Sequence, residues 1–300
     1  MFQSQTPVDG ACDRAIIPCV DQLARDGWCI MPNALPAPII SRLDDDLAEG
    51  FDRAPYCRGP FYGETTKRLG RLPLRSVHSV ALICHAGILA IVQRFLGHWC
   101  DHVQLNTTQA IAIDPGAPAQ APHRDQDMFH GPKGEMEYLL NVIWPLTPFH
   151  PENGGTRIWP RSHGSAALGE SSIHEEQAVA PVLAPGSALL FLGSTMHGAG
   201  ANRSASVRRA VVIGYSLGWL KPYENPSLAY PPSIARHFSP ALAALAGYVQ
   251  HRPNLGNFEG QCPSKLLIGR PELMMGPEDA LLPAQAEMVD AYCRAQQVPG

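Results

Sequence analysis

Gln120-Ala121-Pro122-His123-Arg124-Asp125-Gln126-Asp127 decides how this chain of 300 residues is read. It sets an imidazole and a carboxylate two residues apart. On a strand or extended loop, positions i and i+2 point to one side, so one metal ion can touch both His123 and Asp125. A third candidate ligand, His197, stands far downstream in Gly193-Ser194-Thr195-Met196-His197-Gly198, where only the fold can bring it in. Two histidines and one carboxylate on one face of an ion leave its other face open, which is the donor set of non-heme Fe(II) oxygenases. A His-x-Asp tripeptide alone arises by chance in surface loops; its surroundings give it weight. An apolar run at 187–192 leads toward His197, and a second at 209–215 follows it. Arg208 and Arg209 stand at the start of that second run, where a guanidinium can hold a carboxylate by two parallel hydrogen bonds. Strand parity alone leaves open which of the two faces inward.

Working outward, composition sets the class. An apolar content of 45% gives ample core for one large or two small domains. Charged residues make up only 17%, while the chain holds 27 glycines and 29 prolines, which describes short elements joined by many loops rather than a helical bundle. The formal charge of -4, without a basic run, argues against nucleic acid as the main partner. No stretch reads as a membrane span. The N-terminus lacks a basic region followed by an apolar one, so the sequence is read as cytoplasmic. Its eight cysteines form no Cys-x-x-Cys pair and are expected as free thiols.

Residues 1–10 read as a loose tail. Helices are expected at 16–26, with Pro18 in the first turn and Gly27 as the stop, at 38–51, and as one continuous helix at 79–96. A short strand is expected at 28–31. The segment 55–68 has no periodicity and mixes aromatics, glycines and cations, the composition of a lid or binding loop as well as of a solvated surface loop. Strands follow at 103–113, 138–144, 156–159, 187–192 and 209–215, punctuated by proline and glycine, which points to a sandwich or barrel. Beyond Trp219 the chain turns irregular, with helices expected at 239–249 and 284–296. No linker separates a second domain: the organisation is a single domain over 1–300, with a core at about 100–220, helices and lid at 11–99 and a C-terminal wrap at 221–300.

Over roughly 20–220 the order and spacing of several pieces carry a likeness. They are Asp26-Gly27-Trp28, His123-Arg124-Asp125-Gln126, Glu152-Asn153-Gly154-Gly155-Thr156, Pro160-Arg161-Ser162-His163 and His197-Gly198-Ala199-Gly200-Ala201-Asn202, followed by Arg208. The chain resembles the phytanoyl-CoA dioxygenase family of Fe(II)/2-oxoglutarate oxygenases, and most of all members acting in natural-product pathways. The resemblance implies a mainly β fold with flanking helices, a double-stranded β-helix or cupin-like jelly roll. It implies Fe(II) on His123, Asp125 and His197, with 2-oxoglutarate and O₂ as cosubstrates. It chooses Arg208 for the far carboxylate of 2-oxoglutarate, with Gln120 and Thr156 as further contacts and Trp144 as an aromatic beside the pocket. It implies oxidation, chiefly hydroxylation, of a C–H bond with release of succinate and CO₂. Because Asp125 fills the position that related halogenases leave small, halogenation is not expected. Some natural-product relatives are homodimers, and a homodimer is the family's implication here.

The substrate is expected to be a small organic or natural-product molecule rather than a CoA thioester, with Phe61, Tyr62, Lys67 and Arg68 in the lid and Asp127 on the pocket wall. His130, like Asp127, lies near enough to the metal pair to line the pocket but reads first as an exposed loop residue, and His163 reads as structural. Two rivals stand beside this reading: a cupin-like metal-binding protein without turnover, and a Zn-dependent isomerase or hydrolase on the same barrel.

Overall fold

The computed structural model describes residues 10–132, 134–169, 174–268 and 276–296. The N-terminal part runs α1 (Gly10–Asp26), β1 (Trp28–Met31), α2 (Ala37–Arg53), β2 (Thr66–Leu69), α3 (Ser79–Ile83) and α4 (Ala86–Leu96). The strands β3 (Val103–Ile113), β4 (Leu139–Pro145), β5 (Thr156–Ile158), β6 (Ala188–Leu192), β7 (His197–Ala199) and β8 (Arg208–Leu217) follow. Short helices α5 (Pro226–Ala229), α6 (Pro232–Ala235), α7 (Pro240–Leu245) and α8 (Lys265–Ile268) lead to α9 (Pro283–Gln296). The result is mainly β with helices packed outside, as the sequence led one to expect.

A six-stranded antiparallel sheet in the order β1-β6-β4-β8-β3-β2 stands against a two-stranded sheet, β5-β7. Alternation along the strands divides the large sheet into two faces. Leu140, Val142, Leu190, Val211 and Ile213 join Leu23, Ile40, Leu43, Leu47 and Ile88 in the main core between sheet and helices. The alternate positions Thr107, Gln109, Ile111, Asn141, Ile143 and Val212 line a cavity of about 440 Å³, together with residues of β5 and β7. That volume lies within the range of small-molecule sites.

Several expectations need correction. The first helix begins at Gly10, so Pro18 lies in its interior. Burial of Ile16, Cys19 and Leu23 outweighs the roughly 3 kcal/mol that an interior proline costs. Of the tail expected at 1–10, all but Gly10 lies outside the described residues. The continuous helix at 79–96 is two helices. The chain breaks at Cys84, and the ring of His85 caps α4 by accepting from the Ile88 amide at 3.2 Å. This stretch also corrects the reading that nothing approaches a membrane span: Ser79–Leu96 is 18 residues and apolar enough by composition. Its apolar side chains Leu82, Ile83, Ile91, Val92 and Leu96 lie in the core instead. The irregular segment ends in β2, which pairs with β3. The helix expected at 239–249 spans only Pro240–Leu245, because Gly247 turns the chain with φ +88°. Among the described residues seven cysteines are free.

Candidate metal centre

His123 and His197 reach each other through the backbone. Each amide donates to the other's carbonyl, His123 N to His197 O at 2.9 Å and His197 N to His123 O at 3.0 Å. This bridge continues the small sheet and sets the two rings 4.3 Å apart. Asp125 opens a short 3₁₀ turn immediately after His123 and aims its carboxylate at both rings. Oδ1 lies 3.4 Å from His123 Nε2 and Oδ2 lies 3.5 Å from His197 Nε2. The three candidate ligand atoms fall within 4.8 Å of one another.

Hydrogen bonds fix which nitrogens point inward. His123 Nδ1 donates to Ala121 O at 2.9 Å and His197 Nδ1 donates to Thr195 O at 3.1 Å. A carbonyl only accepts, so both protons sit on Nδ1 and both Nε2 lone pairs face the Asp125 carboxylate. Lone pairs and an anion turned on one another repel unless positive charge lies among them. Burial pushes the Asp125 carboxyl up, but the facing His197 and His123, with Arg68, hold it below its ordinary value. Burial opposes protonation of His123, yet Asp125 draws it above its ordinary value, while burial holds His197 below. The cluster attracts a cation, and its two nitrogens and one carboxylate fit a divalent transition metal.

Neighbouring residues brace the cluster. The Arg124 guanidinium donates to Ser194 O at 3.0 Å and to Ser162 O at 3.3 Å, joining the ligand turn to the loop before His197. Ser162 Oγ accepts from the Met196 amide at 2.8 Å. Asn141 Nδ2 donates to Asp125 Oδ2 at 2.8 Å. A Cβ on Gly27, whose φ is +81°, would meet the His163 ring at 2.6 Å. Glycine there lets the Pro-Arg-Ser-His turn pack on the chain before β1.

Arg208 projects into the same cavity from β8. It is 4% exposed, and both its Nε, at 3.0 Å, and an Nη donate to Gly154 O. Its guanidinium lies 4.5 Å from the Phe149 ring centroid. Burial, with some contribution from the charge of Arg68, lowers it to about 9; among the described residues no carboxylate pairs with it. Arg209 points the other way and pairs with Asp44 of α2 at 2.7 Å. Gln120, Thr156, Phe61, Tyr62, Arg68 and Asp127 line the same cavity as Arg208. The Gln120 side-chain amide donates to Phe61 O at 3.2 Å. The Phe61 ring stands 4.9 Å from that of His123. Arg68 donates to Gln109 Oε1 at 2.7 Å and lies 4.8 Å from the Tyr62 ring. The Tyr62 hydroxyl meets that of Tyr223.

Two sequence expectations fail here. Trp144 is not on the pocket wall. On β4 it shares the parity of Leu140 and Val142, is fully buried toward the helices, and lies 5.9 Å from the His85 ring. Lys67 also points away, because it alternates with Arg68. Its Nζ donates to Phe51 O at 2.9 Å and lies over the Tyr56 ring. His130 is exposed and off the cavity wall, as its reading as a surface-loop residue expects. Sequence reasoning missed Asn141, Gln109 and Tyr223. Asn141 was legible as the one polar residue in Tyr138-Leu139-Leu140-Asn141-Val142-Ile143-Trp144. Tyr223 lies in an irregular segment that carries no such signal.

The chain matches the family model for phytanoyl-CoA dioxygenase over residues 23–210. It is 31% identical over 238 residues to the dioxygenase trt7 of Aspergillus terreus, covering 75% of this chain and 82% of that protein. It is 25% identical over 253 residues to the dioxygenase cdmD of Talaromyces verruculosus, covering 75% and 81%. Among solved structures it is similar to the non-heme alpha ketoglutarate dependent epimerase SnoN from nogalamycin biosynthesis. There the TM-score is 0.57 at 20% identity, over 69% of this chain and 82% of that one. It is also similar to HygX of Streptomyces hygroscopicus with nickel and 2-oxoglutarate bound, with TM-score 0.54 at 14% identity, over 69% and 89%. At such identities these two likenesses bear on the fold, the double-stranded β-helix. The match to the family model takes in β1 to β7 and the start of β8, and spans the His-x-Asp turn, His197 and Arg208: this chain is a dioxygenase of the phytanoyl-CoA dioxygenase family.

Proposed function

We propose that His123, Asp125 and His197 hold Fe(II), that Arg208 with Thr156 and Gln120 holds 2-oxoglutarate, and that the enzyme hydroxylates a C–H bond of a small natural-product substrate. The observation that carries this reading is a buried cation, Arg208, which no carboxylate among the described residues pairs, in one cavity with a histidine–carboxylate cluster. A buried guanidinium without a counter-charge is costly, and a dicarboxylate cosubstrate supplies that charge. A zinc hydrolase or isomerase has no need of such an anchor.

When bound, iron with 2-oxoglutarate and O₂ supplies an oxidant able to take hydrogen from a C–H bond, and 2-oxoglutarate leaves as succinate and CO₂. The chain's own part is geometric and electrostatic. The backbone bridge sets the spacing of the two imidazoles, and their Nδ1–H bonds to Ala121 and Thr195 keep both Nε2 lone pairs available. Gln120 links the cosubstrate end of the cavity to the lid. Phe61, Tyr62 and Tyr223 cover the opening and keep water from the reacting centre. With Asp125 as a ligand, no ligand position is left vacant for a halide.

Large, half-exposed apolar side chains at the opening, Phe61, Tyr62, Met128 and Tyr223, support a mainly apolar scaffold. Arg68 on the inner wall supports a polar or acidic group upon it. The whole chain is read as one oxygenase domain, and by family resemblance as a homodimer, which light scattering tests directly. The decisive assay follows succinate formed per substrate consumed under Fe(II), 2-oxoglutarate and O₂, across a panel of polycyclic natural products. One succinate per product, abolished by His197→Ala, is expected. Substrate conversion indifferent to O₂ and 2-oxoglutarate would favour the zinc enzyme. Tight binding of both iron and 2-oxoglutarate with no decarboxylation would favour the binding protein.

A further inference from the structure

Asn141 sits at the centre of the six-stranded sheet, on β4 between β6 and β8, and is 2% exposed. The cavity-facing side chains around it, Ile143, Phe191 and Val212, are apolar. An amide in such a place is costly unless it is bonded. Among the described residues its side chain is bonded through Nδ2, which donates to Asp125 Oδ2 at 2.8 Å. A carboxylate only accepts, so the amide nitrogen must face Asp125 and the amide oxygen must face away. On that far side stands Gly214, the register partner of Asn141 across β8. A Cβ there would approach Asn141 Oδ1 to 3.0 Å. Glycine at 214 therefore leaves the room the amide needs, and amide and carboxylate are fixed as a pair.

We propose that Asn141 is a positioning residue for the metal centre: by occupying Oδ2 of Asp125 it reserves Oδ1 for the metal and holds the carboxylate to ligation through one oxygen. Both carboxylate oxygens face an imidazole at nearly equal distance, 3.4 and 3.5 Å. Without the amide, nothing in the ligand set distinguishes them. A carboxylate free to chelate through both oxygens would take up coordination space that the cosubstrate and O₂ require. Hydrogen-bond partners of ligands tune affinity and geometry in this way.

The inference rests on the reading of His123, Asp125 and His197 as ligands, and its test keeps the two apart. The purified 300-residue chain, stripped of metal, is titrated with Mn(II) and followed by electron paramagnetic resonance, for wild type, Asn141→Leu and His197→Ala. Wild type is expected to bind one ion, and His197→Ala to bind none. Asn141→Leu, close in volume and lacking the amide, is expected to melt with wild type in the apo form, to bind Mn(II) about 10- to 100-fold more weakly, and to give an altered spectrum. An Asn141→Leu affinity and spectrum identical to wild type would overturn the inference while leaving the ligand reading intact, even if turnover fell, since the amide would then act on substrate. Wild type that binds no ion would overturn the ligand reading and this inference with it. Should Asn141→Leu not fold, Asn141→Ser, whose hydroxyl is too short to span to Asp125, carries the same expectations.

Discussion

Arg208 and Arg209 are chemically identical and adjacent, yet the fold gives them opposite surroundings. Arg209 shares the parity of Val211 and Ile213 and is paired by Asp44 of α2 at 2.7 Å. Arg208 shares the parity of Val212 and is buried on the cavity wall, where among the described residues its guanidinium meets the Gly154 carbonyl and the Phe149 ring. Removing one side of a buried, hydrogen-bonded charge pair costs about 2–5 kcal/mol. Arg208→Leu is therefore expected to raise the KM for 2-oxoglutarate by about 30-fold or more. The apo protein should melt no lower than wild type, because the variant also removes an uncompensated buried charge. Arg209→Leu should do the reverse, leaving KM for 2-oxoglutarate unchanged and lowering the melting temperature slightly. Steady-state kinetics and thermal melts of the two variants check both halves, and equal KM effects would sink the assignment.

At the scale of elements, β2 carries an argument that the sequence alone obscured. The aperiodic stretch before it reads as loop through Arg68, but Thr66–Leu69 pairs with β3 and so acquires a strand's alternation. Arg68 then faces the cavity, bonded to Gln109, while Lys67 faces outward onto Phe51 O and the Tyr56 ring. Arg68→Ala is expected to raise substrate KM by about tenfold, the loss of one charge-assisted hydrogen bond, whereas Lys67→Ala should leave it within error. A substrate titration of the two variants side by side decides, and a KM effect in Lys67→Ala equal to that in Arg68→Ala would count against the register. The long strands were legible because their apolar alternation is a local property: the run read at 103–113 is the strand found. The metal turn was legible for the same reason, and His197 only through a pattern of motifs. Trp144 was misplaced because its face depends on the phase of β4 against the helices, which no local signal carries. The break at His85 was missed because Ser79–Leu96 keeps an apolar stripe across it, and a histidine cap is a weak sequence signal. Asn141 was passed over because a lone polar residue in a strand announces neither its face nor its partner.

For the whole molecule, stability depends on the centre and on the fastening of the C-terminal wrap. A metal that binds only the folded state stabilises it by about 2.7 kcal/mol at a concentration a hundred times Kd. Chelation should thus lower the melting temperature by roughly 5 °C or more, and His197→Ala should melt alike with and without metal. The wrap is fastened where the chain leaves α4. The Arg252 guanidinium clasps the Asp101 carboxylate with two hydrogen bonds, Nε at 2.9 Å and Nη at 2.5 Å, and the Asp101 amide donates to His251 Nε2 at 2.9 Å. His251 Nδ1 donates to Arg252 O at 3.0 Å, and the His102 ring stands edge-on to it at 6.4 Å. His251 can accept the Asp101 amide only when neutral. Burial, the largest effect, and the charge of His102 hold it below its ordinary value, against the opposing pull of the Arg252 carbonyl and Asp101. The unfolded chain therefore takes up a proton on this ring at higher pH, near 6.5, than the folded chain does. Its contribution to stability is fully present above that value and is lost as pH falls through the lower folded value. Asp101, pushed up by burial but held lower overall by Arg252, adds a second loss only at stronger acid. His251→Gln keeps an acceptor that does not titrate, so the difference in melting temperature between wild type and variant, measured in metal-free protein from pH 8 to pH 5, should favour wild type at the top of the range and shrink toward the bottom. A difference constant across that range would show that His251 carries no part of the wrap's pH dependence.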